Sequence, residues 1–320
     1  MNPTKVITAI KQRAEGWCRG NREPDGHKIG LVIEGGGMRG VCSGGGAVAL
    51  AHLGFSDLFD EVYATSAGVM NASYFLSCQP ELGITVYYDS LATREFVNPL
   101  RVWKVLDVDY VFNHVVTVAK PLDVGKILAS RSRFFVAVMD KRTSEGIIID
   151  TKKTRTPLLQ VLKAATAIPV FYNRTVEVDG RPCMDAGLSI SFPIEEAFRN
   201  QCTDVLVLLT RPFDYRRGPP SWGSRLLFNL FCAHGNRELN LTYLNREERE
   251  AECRRLALGQ SPTPTGVNIA TICADEPELV DRMTTNRAVL RAAAVRYGRK
   301  TMRIFGADAE AWDLAPLTYT

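Results

Sequence analysis

Ile29-Gly30-Leu31-Val32-Ile33-Glu34, running directly into Gly35-Gly36-Gly37-Met38-Arg39-Gly40, is the stretch whose reading decides the fold. A short apolar run that breaks into consecutive glycines reads as a buried strand ending in a loop with bare backbone amides. Val41 to Leu53 follows with mostly small and apolar residues, Ala47, Val48, Ala49 and Leu50 among them, and predicts a helix lying close on a sheet. A second strand is expected at Glu61-Val62-Tyr63. It ends in Ala64-Thr65-Ser66-Ala67-Gly68, and Val69 to Leu76 reads as another apolar helix.

The second turn is similar to the nucleophile elbow G-x-S-x-G, in which a serine sits on a tight strand-to-helix turn with its oxygen above the sheet. Crowding around such a serine demands small residues two places before and after it. Gly68 meets that demand, and Ala64 adds one methyl group. Acyl transfer also needs N–H donors aimed at a tetrahedral oxyanion. The amides of Gly36, Gly37 and Met38 are the candidates, the following helix adds the positive end of its dipole, and Arg39 can fix the loop. The same glycines admit a second reading. Gly35, Gly37 and Gly40 satisfy G-x-G-x-x-G between a strand and a helix, and Asp57 or Asp60 lies roughly 20 residues on, where a dinucleotide ribose would be bound.

Together, Gly35 to Gly40 and Thr65-Ser66-Ala67-Gly68 resemble the patatin-like phospholipase family, whose oxyanion motif is G-G-G-x-[RK]-G and whose serine lies in G-x-S-x-G. The family pairs that serine with an aspartate in D-G-[GA]. The matching segment here is Met184-Asp185-Ala186-Gly187, so the resemblance implies Ser66 as nucleophile and Asp185 as base, with Ala186 where the family has glycine. Ala164 to Tyr172 is also similar to the family, coverage runs from about Ile29 to Thr210, and Gly266 to Thr301 resembles the tail of bacterial members. Ser191-Phe192-Pro193 stands where the family often has N-x-P. The implied fold is a three-layer α/β/α domain with a mostly parallel central sheet, and the implied substrate is a lipid ester, hydrolysed without metal or organic cofactor. His234, in Cys232-Ala233-His234-Gly235-Asn236, offers a Ser-His-Asp triad instead. A lipid-binding scaffold with a degraded site is a further reading.

The 320 residues suffice for a large core, and a net charge of +4 argues against a nucleic-acid protein while tolerating an anionic membrane surface. No run approaches the roughly 18 to 20 apolar residues of a spanning helix, and the first residues lack a signal-peptide core, so a cytoplasmic location with peripheral membrane contact is expected. Eight scattered cysteines, with no C-x-x-C pair and no histidine at metal spacing, read as buried thiols in a reducing compartment.

The implied organisation is an N-terminal arm (1–27), a catalytic domain (28–210) and a C-terminal extension (211–320) packed on it. Lys5 to Glu15 is an amphipathic helix candidate. Gln79 to Gly83 reads as a loop, Ile84 to Leu91 as a helix. Glu95 to Lys120, with Phe96, Trp103, Tyr110 and Phe112, could line an acyl pocket. Strands are expected at Phe134 to Val138 and Gly146 to Asp150, a helix over Leu158 to Ala165, and a hairpin turning at Asp179-Gly180 and delivering Asp185. Asp204 to Thr210 reads as a buried parallel strand. Arg211 to Phe231 combines proline, arginine and bulky apolar residues and suits a lid or interfacial element. Arg246 to Leu258 reads as a charged surface helix, Val267 to Cys273 as a last strand, and Glu278 to Thr301 as a long helix.

Overall fold

Every residue of the first strand, β1 (Ile29–Ile33), is buried, because it has neighbours along both edges and helices over both faces. The computed structural model describes residues 3–101, 104–275 and 280–314. Along β1 the side chains alternate as a strand's period of two requires: Leu31 and Ile33 enter one apolar core and Val32 the other. The sheet's other strands are β2 (Glu61–Thr65), β3 (Arg133–Asp140), β4 (Gly146–Asp150), β5 (Val176–Val178), β6 (Arg181–Asp185), β7 (Asp204–Leu208) and β8 (Asn268–Ile272). Their order is β5-β6-β3-β2-β1-β7-β8, with β4 paired to β3. β3, β2, β1, β7 and β8 are mutually parallel, and β4, β5 and β6 pair antiparallel. β7 repeats the alternation, with Leu206 and Leu208 in the first core and Val205 and Val207 in the second.

One face of the sheet carries α1 (Pro3–Cys18), α2 (Gly40–His52), α3 (Ala67–Leu76) and the helix Arg287–Ile304, all contributing to the larger core. The other carries Ile194–Arg199 and Arg246–Ala257. This is the three-layer α/β/α arrangement with a mostly parallel sheet. α1 is anchored by Arg13, whose guanidinium donates to Asp25, Asp60 and the carbonyls of Leu58 and His27. The helix Arg287–Ile304 packs along α2, and β8 extends the sheet beyond β7.

Several boundaries differ from the sequence reading. Gln79 to Gly83 is not a loop: Pro80, favoured in a helix's first turn, starts Pro80–Thr85, which continues as a wide π-type helix over Val86–Leu91. The last helix starts at Arg287 because Asn286 caps it, its side chain accepting from the Val289 N–H at 3.2 Å. The expected start at Glu278, and Leu279, lie outside the described residues, as does Trp103. The charged helix Arg246–Ala257 has one enclosed face, with Glu250 and Arg254 only 3% and 4% exposed. Charged residues read as solvated when sequence alone is considered, yet these two are enclosed by Arg217 and the Pro212 carbonyl. Among the cysteines, Cys18 and Cys78 are exposed rather than buried.

Candidate active site

The strand-to-helix turn after β2 holds Ser66 at φ 52°, ψ −137°, a conformation that costs a non-glycine residue free energy and persists only where its surroundings impose it. β2 stops at Thr65 and α3 starts at Ala67, so one residue makes the whole reversal. The glycine loop enforces the geometry from the side. A Cβ on Gly35 would lie 2.5 Å from the Thr65 carbonyl oxygen and 2.6 Å from the Ser66 Cβ, so only a residue without a side chain lets the two turns touch. Gly68 approaches the Ile33 carbonyl as closely. Ala64 sits inside β2, fully buried between Ile33 and Val136.

Strand register brings Asp185 to the same point. Residues 135–139 of β3 pair with β4 along one edge, which leaves the other edge to β2 and β6. β2 occupies that edge up to Thr65 opposite Ala137. The next position, Val138, is taken by Asp185 of the antiparallel β6. Two strands therefore meet end to end on one edge of β3, one delivering the serine turn and the other the aspartate.

Asp185 is 3% exposed. Burial pushes its pKa above the ordinary carboxylate value, opposed by hydrogen bonding with Ser66 and the Gly187 N–H and by the charge of Arg282. Its Oδ1 accepts from the Gly187 N–H at 2.8 Å. Its Oδ2 is buried without a partner of regular hydrogen-bond geometry, so the Ser66 contact that moves the pKa is looser than a formed hydrogen bond. Gly187 thus orients one carboxylate oxygen and leaves the other without a partner. Ala186 is fully buried beneath the turn.

In the glycine loop Gly36 and Gly37 adopt φ 143° and 62°, and a Cβ on Gly37 would meet the Arg282 carbonyl at 2.8 Å. That carbonyl accepts the Met38 N–H at 3.2 Å. The Met38 amide is therefore engaged, which corrects the expected donor set. The N–H groups of Gly36 and Gly37 make no hydrogen bond among the described residues. Arg39 is buried and Gly40 begins α2.

Ser66 borders two cavities of opposite character. The larger, about 340 Å³, contains Ser66, Asp185, Gly35 to Gly37 and five arginines: Arg39, Arg211, Arg217, Arg246 and Arg282. The smaller, about 60 Å³, is apolar and is lined by Ser66 together with Met70, Tyr87, Phe96, Leu106, Val108 and Val111. Among the described residues of the expected acyl-pocket segment, Phe96 is the aromatic that lines it; Tyr110 and Phe112 do not. Apart from Arg39 of the glycine loop, the arginines come from segments read as lid, surface helix and tail, and sequence pattern did not connect them. The density of arginine after Arg211 was the available signal.

The rival constellations do not assemble. His234 is exposed in a left-handed turn and lines neither cavity, which removes the Ser-His-Asp alternative. Asp60 precedes β2 and accepts from the Ile29 N–H at 2.8 Å, placing it at the opposite end of β1 from the glycine loop, and Asp57 is exposed. A ribose held at that loop would be out of reach of both. Among the described residues no group of three His, Cys, Asp or Glu side chains is placed to hold a metal ion.

Comparison with known proteins bears on the family and the fold. A family model described as patatin-like phospholipase matches residues 31–198. The uncharacterized protein YjjU of Escherichia coli (strain K12) is 30% identical over 210 residues, which span 62% of this chain and 56% of that protein; the chain thus matches little more than half the length of this relative. The crystal structure of VipD from Legionella pneumophila is similar in fold, with a TM-score of 0.50 and 16% identity over 88% of this chain and 67% of that one. The chain belongs to the patatin-like phospholipase family.

Proposed function

We propose that the chain hydrolyses carboxylic esters of lipids with Ser66 as nucleophile and Asp185 as its base. The observation that carries this reading is the meeting of a strained serine turn, a buried carboxylate with one unpartnered oxygen, and two unengaged glycine amides at one cavity. Asp185 takes the Ser66 proton as the Oγ attacks the acyl carbonyl, and the Gly36 and Gly37 N–H groups receive the oxyanion. The proton then passes from Asp185 to the departing alcohol oxygen. Water, deprotonated by the same carboxylate, attacks the acyl-serine, releases the fatty acid and restores the Ser66 hydroxyl. Burial makes Asp185 a stronger base than a solvated carboxylate.

The apolar cavity beside Ser66 is the place for the acyl chain, and the exposed Phe213, Trp222, Leu226 and Leu230, in the segment that also supplies Leu227 and Phe228 to the larger cavity, suit a surface that rests on a membrane from the cytoplasmic side. No helix of the described residues is long and apolar enough to cross one. Labelling by a fluorophosphonate probe is expected in the wild type and lost in Ser66→Ala. Absence of Ser66-dependent labelling and of fatty-acid release from mixed phospholipid vesicles would leave a lipid-binding scaffold as the reading.

A further inference from the structure

Among the charged groups of the larger cavity, the arginines are paired unequally. Glu250, itself buried, is the acid of Arg217 and lies 3.9 Å from the Arg211 Nε. Arg246 and Arg282 have no carboxylate within ion-pair distance among the described residues. Arg246 lies over the Tyr243 ring, 3.7 Å from its centroid, and its Nε is buried without a hydrogen-bond partner. Arg282, beside Asp185 and the glycine loop, is pushed down to about 10, by burial first and then by Arg217, Arg39 and Arg211. Five guanidinium groups face three carboxyl groups in this cavity, those of Glu34, Asp185 and Glu250. Glu34 is buried with its Oε2 accepting from the Thr210 N–H and, at 3.0 Å, from the Thr210 hydroxyl, Asp185 serves Ser66, and Glu250 is held by Arg217. Several buried or partly buried guanidinium groups gathered in one cavity are costly unless an anion completes them.

Ser66 lines both this cationic cavity and the apolar one, as do Gly37 and Ile168, so a molecule whose ester carbonyl sits at Ser66 with its hydrocarbon in the apolar cavity has its other end among the arginines. We propose that Arg246 and Arg282, with Arg217, bind an unsubstituted phosphate close to the scissile ester, so that the preferred substrates are acyl esters of a glycerol phosphate. Guanidinium forks match phosphate oxygens in pairs. A choline or ethanolamine cap on the phosphate would bring an ammonium among like charges, with Glu250 already engaged, and is disfavoured. A neutral glyceride leaves the arginines without an anion. This inference rests on the hydrolase reading for the word substrate, but the anion site can be tested without turnover.

Calorimetric titration of Ser66→Ala with hexanoyl-lysophosphatidate, hexanoylglycerol and inorganic phosphate separates the cases. The phosphate lipid should bind about 30-fold or more tighter than the glyceride, and adding Arg246→Gln or Arg282→Gln should weaken it about tenfold or more while moving glyceride binding less. Comparing two ligands on one protein makes the result independent of small changes in stability. In the wild type, the ratio of kcat/KM for lysophosphatidate over monoacylglycerol should fall by the same factor in either arginine variant. Equal binding of the two lipids, or a ratio unmoved by both substitutions, overturns the proposal. Inorganic phosphate binding as tightly as the lipid assigns the site to free anions and overturns the headgroup role. Selective binding of the lipid with no Ser66-dependent hydrolysis of any ester would instead overturn the hydrolase reading and leave the anion site standing.

Discussion

At the scale of the residue, Asp185 couples function to stability through its burial. Its carboxyl titrates above 3.8 in the folded chain, so between that value and the raised one the folded state holds a proton that the unfolded state has released. Stability contributed by this group is present at low pH and lost as pH climbs through the window. Asp185→Asn removes the charge, so its melting temperature relative to wild type should be higher at pH 8 than at pH 4, by roughly 2 °C or more. Calorimetric scans at the two values check this. The same substitution should lower kcat/KM by a factor of about 10³ or more, since it deletes the base, and the acid limb of the wild-type profile should lie above the ordinary carboxylate range. Gly35→Ala tests the contact between the turns. Its methyl would displace the Thr65 carbonyl or the Ser66 Cβ, and strain of this kind costs about 1 to 3 kcal/mol. Turnover should fall by more than stability explains, because a Ser66 moved by about 1 Å can lose on the order of 10² in rate. Turnover at temperatures well below the variant's own melting point measures that excess.

At the scale of the element, what is legible in the sequence depends on how local the pattern is. β1, the glycine loop, α2, the serine turn and the hairpin before Asp185 each occupy one short stretch, and glycine runs, apolar runs and Asp179-Gly180 mark them directly. That β2 and β6 meet end to end on β3 is a property of register, and motif resemblance was the only route to it from sequence. The arginine cavity draws on Arg39, Arg217, Arg246 and Arg282, which no periodicity relates. Arg246–Ala257 looked solvated because helical charge patterns do not say which face is enclosed. The helix Trp222–Phe228 sits between the legible and the hidden. Leu227 and Phe228 turn toward the cavity, while Trp222 is 79% exposed. If this helix rests on the lipid surface, Trp222→Ser together with Leu230→Ser should reduce partition onto anionic vesicles about tenfold, judged by sedimentation with the liposomes, at unchanged melting temperature. Trp222→Phe should remove the blue shift of tryptophan emission on vesicle addition. Partition indifferent to both changes would place the membrane contact elsewhere.

At the scale of the whole molecule, the matched family region, residues 31–198, contains Ser66, Asp185 and the glycine loop but stops short of β7. Beyond it lie a strand wedged between β1 and β8, the helix Arg287–Ile304 against α2, and the arginines that close the cavity. We therefore propose that the C-terminal part is integral to the fold rather than an appendage, and that a chain ended at residue 210 will not fold as a soluble monomer. Ending there would strip β8 from β7, leaving a buried strand, apolar from Val205 to Leu208, as an unpaired edge, a template for aggregation. It would also uncover the face of α2 that now meets the buried Ala294, Tyr297 and Gly298. Size-exclusion chromatography and circular dichroism of residues 1–210 should show aggregates or an unfolded chain. A single substitution probes the same interface more gently: Ala294, fully buried with its carbonyl pressed against Gly45, has no room for a larger side chain. Ala294→Leu should destabilise the whole protein by about 1 to 3 kcal/mol through overpacking, and one cooperative urea transition, shifted to a lower midpoint and seen alike by far-ultraviolet dichroism and tryptophan emission, would show that the two parts unfold as one. Two separate transitions, with only the later part moved by the substitution, would make residues 211–320 an independent unit.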